Sequence, residues 1–226
     1  MKLCWICDSK ATSREHIVKA SDIRLGLGRS PPKILLNTDT HRNRRVQSIN
    51  SDSMKYPPSI CDYCNTTRTQ ANDRAWQILS SAIHGRSPRV RAGDLLNLNR
   101  IFDGPANRGL RNVHLYFVKL FGCLIDYSDA PIDLEPFRQA ILNQSNHPDV
   151  WIELIESRQA ENFVQLGRSP LEVGTEHGRT RAAFWLYHAH RFSVLVAYLP
   201  NGLRMPIGHH PLHPGSPRKL VRIGGW

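Results

Sequence analysis

Three polar side chains, Glu15, His16 and Asn65, have the chemistry to hydrolyse a phosphate ester if the fold brings them together. Glu15 and His16 are adjacent in a polar segment that is not typical of a protein core. Carboxylate and carboxamide oxygens are the ligands that a hard divalent cation prefers, and such a cation keeps bound waters. A neutral imidazole can accept the proton of an attacking water. The residue types therefore indicate metal-assisted hydrolysis.

The adjacency of Glu15 and His16 is an obstacle to this interpretation. Neighbouring residues on a regular strand point to opposite faces. Both side chains can serve one site only where the backbone is bent or irregular.

Two Cys-x-x-Cys pairs lie on either side of this segment and predict a metal site. Cys4 with Cys7 and Cys61 with Cys64 supply four thiolates, the ligand set of a tetrahedral structural zinc site, although two unrelated pairs of reduced thiols are the alternative. The 53 residues between the pairs exceed the spacing of a compact zinc ribbon. An inserted segment must therefore fold between them, and a shared ion would bring that segment towards Asn65. Cys123 lies in an apolar run and is expected to be a buried small hydrophobe.

The positive charge is concentrated in the first half of the chain. The net charge is +11, and residues 1–113 hold 19 basic and 9 acidic residues, whereas residues 114–226 are almost balanced. Such an asymmetry favours a polyanionic partner, although a merely solvated basic surface is the alternative. The residues expected to contact phosphate are Lys19, Arg42, Arg44, Arg45 and Arg68.

The order of these motifs resembles the zinc-containing HNH endonucleases of the ββα-metal fold. Cys-x-x-Cys is followed by "REHI" and then by "CDYCN" with an Arg three residues on, and the resemblance covers roughly residues 1–85. It implies that His16 is the general base and that Glu15 and Asn65 ligate a catalytic Mg²⁺ or Mn²⁺. It also implies that Cys4, Cys7, Cys61 and Cys64 hold a structural Zn²⁺, and that Arg68 lies near the scissile phosphate.

Two positions depart from the commonest pattern of this family. Asn65 stands where His is more usual, which is an HNN-type site. The middle Asn of the motif is expected at Asn50, with Asn43 as the alternative. Asp73 either adds a carboxylate to the site or pairs with Arg68 or Arg74.

The elements around these motifs indicate an α+β protein. We predict an N-terminal ββα-metal nuclease fold with a Cys4 zinc site in residues 1–88 and a C-terminal mixed α/β docking or regulatory domain in residues 89–226. Residues 22–58 are expected to be irregular, with a hairpin at most. A helix should follow Asn65, with one face formed by Ala71, Ala75, Ile78, Leu79 and Ala82. Residues 112–128 favour a buried helix, with a strand as the alternative because the segment is rich in β-branched and aromatic residues.

Further along the chain, we predict a short helix that begins near Pro131. Residues 181–202 should form two strands with a close turn at residues 188–191. The segment from Pro206 is expected to be loop.

The resemblance makes a metal-dependent DNA endonuclease the expected function, with phage (antiviral) defence or a mobile element as its setting. The alternative is a non-catalytic zinc module that binds nucleic acid or protein. The expected partner is DNA, together with a regulatory or targeting protein on the C-terminal half, and a homodimer would suit double-strand cleavage. No export signal or membrane span is apparent in the sequence, so a cytoplasmic protein is expected.

Overall fold

The computed structural model describes residues 2–28, 34–36, 44–157, 164, 166–215 and 219–225. A π-helical turn (Cys64–Arg68) leads into the second helix. The α-helices of the described residues are α1 (Ala20–Leu27), α2 (Gln70–His84), α3 (Ala106–Ser128) and α4 (Glu135–Leu142). The strands are β1 (Ile34–Leu36), β2 (Arg44–Val46), β3 (Leu95–Asn97), β4 (Val150–Glu156), β5 (Leu166–Arg168), β6 (Glu172–Glu176), β7 (Arg179–Ala189), β8 (Phe192–Tyr198) and β9 (Leu220–Arg222). The prediction of a mixed α and β chain is confirmed.

An antiparallel five-stranded sheet lies in the C-terminal half, after α3 and α4. Its strand order is β4-β8-β7-β5, and β6 also pairs with β7. β7 and β8 form the predicted hairpin, with Trp185 opposite Val196 and with His190 at a φ of 63° in the turn. Two small sheets, β1 with β2 and β3 with β9, lie outside it. The prediction that the segment from Pro206 is loop is therefore wrong at β9, which pairs with β3.

Helix α3 is the central buried element. Its residues from Val113 to Ile125 are buried, in agreement with the predicted buried helix, although it begins at Ala106, directly after Pro105. Phe117 and Phe121 pack against Trp185 of the sheet. The ring of Trp5, next to Cys4, lies against Gly122, where an added Cβ would approach that ring to 2.4 Å. Only glycine at position 122 lets the first cysteine knuckle contact α3 this closely.

Helix α2 forms where the sequence predicts it, but its buried face differs. Ala75 is buried as expected, whereas Ala71 is exposed and Trp76 is fully buried. The Trp76 ring stacks on Tyr116 of α3 at a centroid separation of 5.6 Å. The largest apolar side chain decides the orientation of the helix, because its burial removes far more apolar area from water than an alanine methyl does.

Helix α1 lies in the region that the sequence predicts to be irregular. The predicted hairpin corresponds to the antiparallel strands β1 and β2. The prediction of irregular structure is wrong over α1, which is helical. Its eight residues include Gly26, and Gly28 follows its end; glycine is a poor helix former, so local propensity does not indicate the helix. Ile23 and Asp22 are buried against the rest of the protein, so tertiary contacts stabilise α1.

Residues on both sides of position 88 contribute to one continuous hydrophobic cluster. α2 packs on α3, and α1 lies against β5 and β7. The division into units at residues 88 and 89 stays a prediction. Among the described helices, none combines the length and the apolar character that a bilayer crossing requires.

The buried histidines predict a loss of stability in mild acid. Burial, together with the nearby His213, lowers the pKa of His147 to about 4, and burial also lowers the pKa of His114. A histidine whose pKa is lowered by folding binds its proton more readily in the unfolded chain, so its contribution to stability is present above pH 6.5 and is lost as the pH falls towards 4. We expect His147 to account for about 1 kcal/mol of the difference in unfolding free energy between pH 7.5 and pH 5.5.

Urea denaturation of His147→Asn at the two pH values measures this contribution. Asparagine cannot be protonated there, and its amide oxygen can accept the hydrogen bond that the Asp149 N–H donates to His147 Nδ1. The variant should lose less stability than the wild type on acidification. His177→Asn, at an exposed histidine in the turn between β6 and β7, is the matched control and should keep the wild-type pH dependence. If the unfolding free energy of all three proteins changed equally with pH, His147 would not be the source of the acid sensitivity.

Candidate functional site

The four paired cysteines come together as predicted. The sulfur atoms of Cys4, Cys7, Cys61 and Cys64 lie within 4.8 Å of one another, and the Cys7 and Cys61 sulfurs are 3.5 Å apart. Four sulfurs bound to one zinc ion at ~2.3 Å would be about 3.8 Å apart, so the cluster can hold a metal ion such as zinc with small adjustments. Among the described residues, this is the one cluster of histidine, cysteine and acidic side chains with such proximity.

The electrostatics of the cluster also suit a cation. Burial raises the pKa of Cys4 and of Cys64, which disfavours the thiolate form of both when no positive charge is near. Burial acts in the same direction on Cys7, but hydrogen bonds from Ser9 outweigh it and lower the pKa of Cys7 to about 6. A bound cation would supply the charge that keeps the buried sulfurs deprotonated.

The segment around Glu15 runs antiparallel to the chain that enters the second knuckle. Ser13 pairs with Ile60, His16 pairs with Lys55, and the Tyr56 N–H donates to the Glu15 carbonyl at 2.8 Å. These are isolated bridges rather than a continuous regular ladder. This irregular backbone explains how adjacent side chains reach one site.

Glu15, His16 and Asn65 line a single surface groove of about 360 Å³. The groove lies between this paired segment, α1 and the first turns of α2. It is also lined by Lys19 and Asp73. The structure therefore brings together the three predicted catalytic residues and Lys19, one of the five residues predicted to contact phosphate.

The environment of His16 keeps its ring neutral at physiological pH. Burial is the main cause that lowers the pKa of His16, to about 4, and the positive charges of Lys55 and Lys19 act in the same direction. A hydrogen bond with the backbone of Ile49 opposes this shift. The neighbouring Asn50, predicted to be the middle Asn of the motif, is exposed in a turn. Nε2 of His16 has no hydrogen-bond partner within the described part of the chain.

Both carboxylate oxygens of Glu15 already have partners. Oε1 accepts the backbone N–H of His16 at 3.2 Å, and Oε2 lies 2.7 Å from Nζ of Lys119. The Lys119 ammonium is also 3.5 Å from Oδ1 of Asn65. It therefore occupies the space between the two side chains predicted to ligate Mg²⁺ or Mn²⁺. As arranged, this donor set does not fit a divalent cation, whose oxygen ligands must converge at 2.0–2.1 Å for Mg²⁺.

Asp73 joins the same network from α2. Its Oδ2 lies 2.8 Å from Lys119 Nζ, and its Oδ1 lies 2.7 Å from Lys19 Nζ. The lysine charges lower the pKa of Asp73 against the opposing effect of burial, which is the largest single influence. The sequence left two roles open for Asp73, a carboxylate of the site or a partner of Arg68 or Arg74. Asp73 lines the groove and pairs with two lysines, not with either arginine.

Among the described residues, the other predicted basic side chains lie outside the lining of the groove. Arg44 and Arg45 are exposed on β2, and Arg68 is partly buried with its guanidinium 5.4 Å from the ring centroid of Tyr63. Arg42 and Asn43 lie outside the described residues. Arg24 lines the groove from α1.

Lys119 belongs to this site but is not among the site residues predicted from the sequence. It lies 46 residues beyond Asp73, in what the sequence presents as an apolar helix. The available signal is its position as the one charged residue in the run from residue 112 to residue 125. A lysine in such a run has to find an acidic partner on folding, because an isolated buried charge is very costly.

Comparisons of the chain with protein-family models, with curated proteins and with solved structures find no match.

Proposed function

We propose that this protein is a DNA endonuclease that hydrolyses phosphodiester bonds at the groove between α1 and α2, with His16 as general base. The observation that carries the proposal is the convergence of Glu15, His16 and Asn65 in one groove beside a four-cysteine cluster. The pairing of Ser13 with Ile60, with α2 after the second of these segments, supports the proposal. A zinc ion held by the four cysteines would stabilise this arrangement and take no part in the chemistry.

The neutral ring of His16 is suited to accept a proton from water. In the proposed reaction the water oxygen bonds to phosphorus, and its proton passes to His16. The bond between phosphorus and the 3′ oxygen breaks, and the leaving oxygen takes a proton from solvent. The products are a 5′-phosphate and a 3′-hydroxyl. A histidine acting in this way contributes typically 10²–10⁴-fold to the rate.

Basic side chains at the groove support a nucleic-acid substrate. Lys19 and Arg24 line it, and the first half of the chain carries a net charge of +10. Phosphate contacts of this type provide affinity without sequence selectivity. We propose Arg44, Arg45 and Arg68 as further contacts to the DNA backbone, and the C-terminal half as the surface for a targeting partner.

Mg²⁺ or Mn²⁺ on Glu15 and Asn65 stays a prediction of the sequence. Lys119 occupies the space between the predicted ligands, so the proposed reaction proceeds without such an ion.

Cleavage of supercoiled plasmid by zinc-loaded protein tests the proposal. The wild type should relax the plasmid and leave 5′-phosphate ends, and His16→Ala should reduce the rate by about 100-fold or more, because the variant lacks the proposed general base. His177→Ala, at an exposed histidine far along the chain, is the control and should cut at the wild-type rate. Cleavage by His16→Ala at the wild-type rate would show that His16 is not the base.

A non-catalytic nucleic-acid-binding module is the second candidate, favoured by the engagement of both Glu15 oxygens in internal contacts. The same experiment separates the two functions. DNA binding that weakens steeply with salt, without cleavage by the wild type under any metal condition, would support this second candidate.

A further inference from the structure

Lys119 is a fully buried cation in the middle of an otherwise apolar helix. Its side chain has no solvent exposure, and its neighbours along α3 are aromatic and aliphatic. The ammonium has oxygen partners on three other segments of the chain, at Glu15, Asn65 and Asp73. A buried lysine with such partners is a structural cation, because desolvating its charge is tolerable only when anionic groups surround it.

The oxygen atoms around Lys119 are those that a catalytic divalent cation would need. The Glu15 and Asp73 oxygens lie 2.7 Å and 2.8 Å from Nζ, and the Asn65 oxygen lies 3.5 Å from it. A divalent cation bound to Glu15 would lie within a few ångströms of this ammonium, where two positive charges repel each other strongly in a poorly solvated site. The ammonium and a divalent cation therefore compete for the same carboxylates.

The network continues from the buried ammonium to the groove surface. Asp73 bridges Lys119 to Lys19 through its two oxygens. The Lys19 side chain is 18% exposed and lines the groove, so it is a cation of this network that a ligand can reach. Its Nζ is held by Asp73, which fixes the charge at the groove wall beside His16.

We propose that Lys119 is the built-in cation of this site, replacing a divalent metal ion at Glu15 and Asn65, and that Lys19 presents positive charge to a bound phosphodiester. Lys119 acts here as a positioning residue, because it is buried and holds Glu15 and Asp73 rather than touching substrate. This inference rests on the proposed function only for the identity of the ligand. The competition between Lys119 and a metal ion is a property of the folded chain alone.

A Mn²⁺ titration of the zinc-loaded full chain tests the inference. Binding is measured as the loss of the free Mn²⁺ signal in electron paramagnetic resonance. The wild type should bind no Mn²⁺ that depends on Glu15 up to millimolar concentration, so wild type and Glu15→Gln should give the same titration. Lys119→Ala should bind one Mn²⁺ per chain, and Glu15→Gln/Lys119→Ala should lose it. Lys10→Ala, at an exposed lysine outside this network, is the control and should behave like the wild type, because Lys119 and Lys19 remain in place.

Lys119→Ala leaves two carboxylates without their shared partner, so it should be purified with Mn²⁺ present. A melting temperature of Lys119→Ala that rises with Mn²⁺, while that of the wild type does not, supports the inference. The comparison of the wild-type and Glu15→Gln titrations does not depend on the folding of Lys119→Ala. One Mn²⁺ bound by the wild type and lost in Glu15→Gln would overturn the inference.

A cleavage measurement distinguishes failure of this inference from failure of the proposed function. Wild-type cleavage that changes less than twofold when Mg²⁺ is withdrawn supports both. Absence of cleavage under all conditions, with the expected Mn²⁺ titrations, removes the nuclease function and leaves the built-in cation supported. Cleavage that requires Mn²⁺ bound through Glu15 removes the built-in cation and leaves the nuclease function supported.

Discussion

Replacement of Cys64 by Ser is expected to abolish zinc binding and to unfold the N-terminal third of the protein. Zinc binding to a four-ligand structural site contributes about 10–16 kcal/mol in small zinc domains, which is comparable with the whole stability of a typical domain. Cys64 is fully buried, and its sulfur belongs to the cluster whose members lie within 4.8 Å of one another. The melting temperature should fall by more than about 10 °C if the variant folds at all.

The loss of zinc should also disrupt the groove. Asn65 follows Cys64 directly, and its amide donates to Ser13 Oγ at 2.9 Å across to the segment that carries Glu15 and His16. The cysteine cluster holds these two segments together. We therefore expect Cys64→Ser to lose the proposed DNA cleavage together with zinc.

Metal analysis of purified protein and thermal melting measure both effects. Cys123→Ala is the matched control, because Cys123 is equally buried but lies outside the cluster. Burial raises the pKa of its thiol to about 12, which is consistent with an inert core residue. This control should keep one zinc per chain and lose about 1 kcal/mol of stability. Stoichiometric zinc in Cys64→Ser, or zinc-free wild type that melts at the same temperature, would contradict a structural metal site.

Replacement of Asp22 by Ala is expected to cost about 3–6 kcal/mol of stability without removing any predicted site residue. The Asp22 carboxylate is completely buried. It accepts hydrogen bonds from Trp76 Nε1 at 2.8 Å, Ser80 Oγ at 2.6 Å and Tyr187 Oη at 2.6 Å. Each buried donor left without an acceptor costs about 1–3 kcal/mol.

Asp22 connects α1 to α2 and to the C-terminal sheet. Burial raises the pKa of the Asp22 carboxyl, and the three donors oppose that shift. Its loss should free α1, whose helix propensity is weak, and so disturb the wall of the groove that Lys19 and Arg24 form.

Urea denaturation of Asp22→Ala, Asp22→Asn and Asp103→Ala tests this role. Asp22→Asn keeps one acceptor oxygen and should lose less stability than Asp22→Ala. Asp103 is exposed, so Asp103→Ala should change stability by no more than about 0.5 kcal/mol. A loss in Asp22→Ala as small as that in Asp103→Ala would mean that the buried hydrogen bonds contribute little.

The four-cysteine cluster and the most periodic elements follow from the sequence because their signals are local. Two-residue spacers in Cys4-x-x-Cys7 and Cys61-x-x-Cys64 let each pair of sulfurs point at one ion, whatever the rest of the chain does. The apolar run of α3 and the paired strands β7 and β8 are likewise indicated by residue type and spacing.

Only the tertiary structure shows the short helix α1, the buried face of α2 and the position of Lys119. α1 depends on the acceptor that Asp22 provides to distant donors, and α2 is oriented by the contact of Trp76 with Tyr116. Lys119 meets Glu15 across 104 positions of the chain. Such pairings depend on which desolvated charges and aromatic rings finally meet, and that depends on the packing of the whole chain rather than on the periodicity of any one segment.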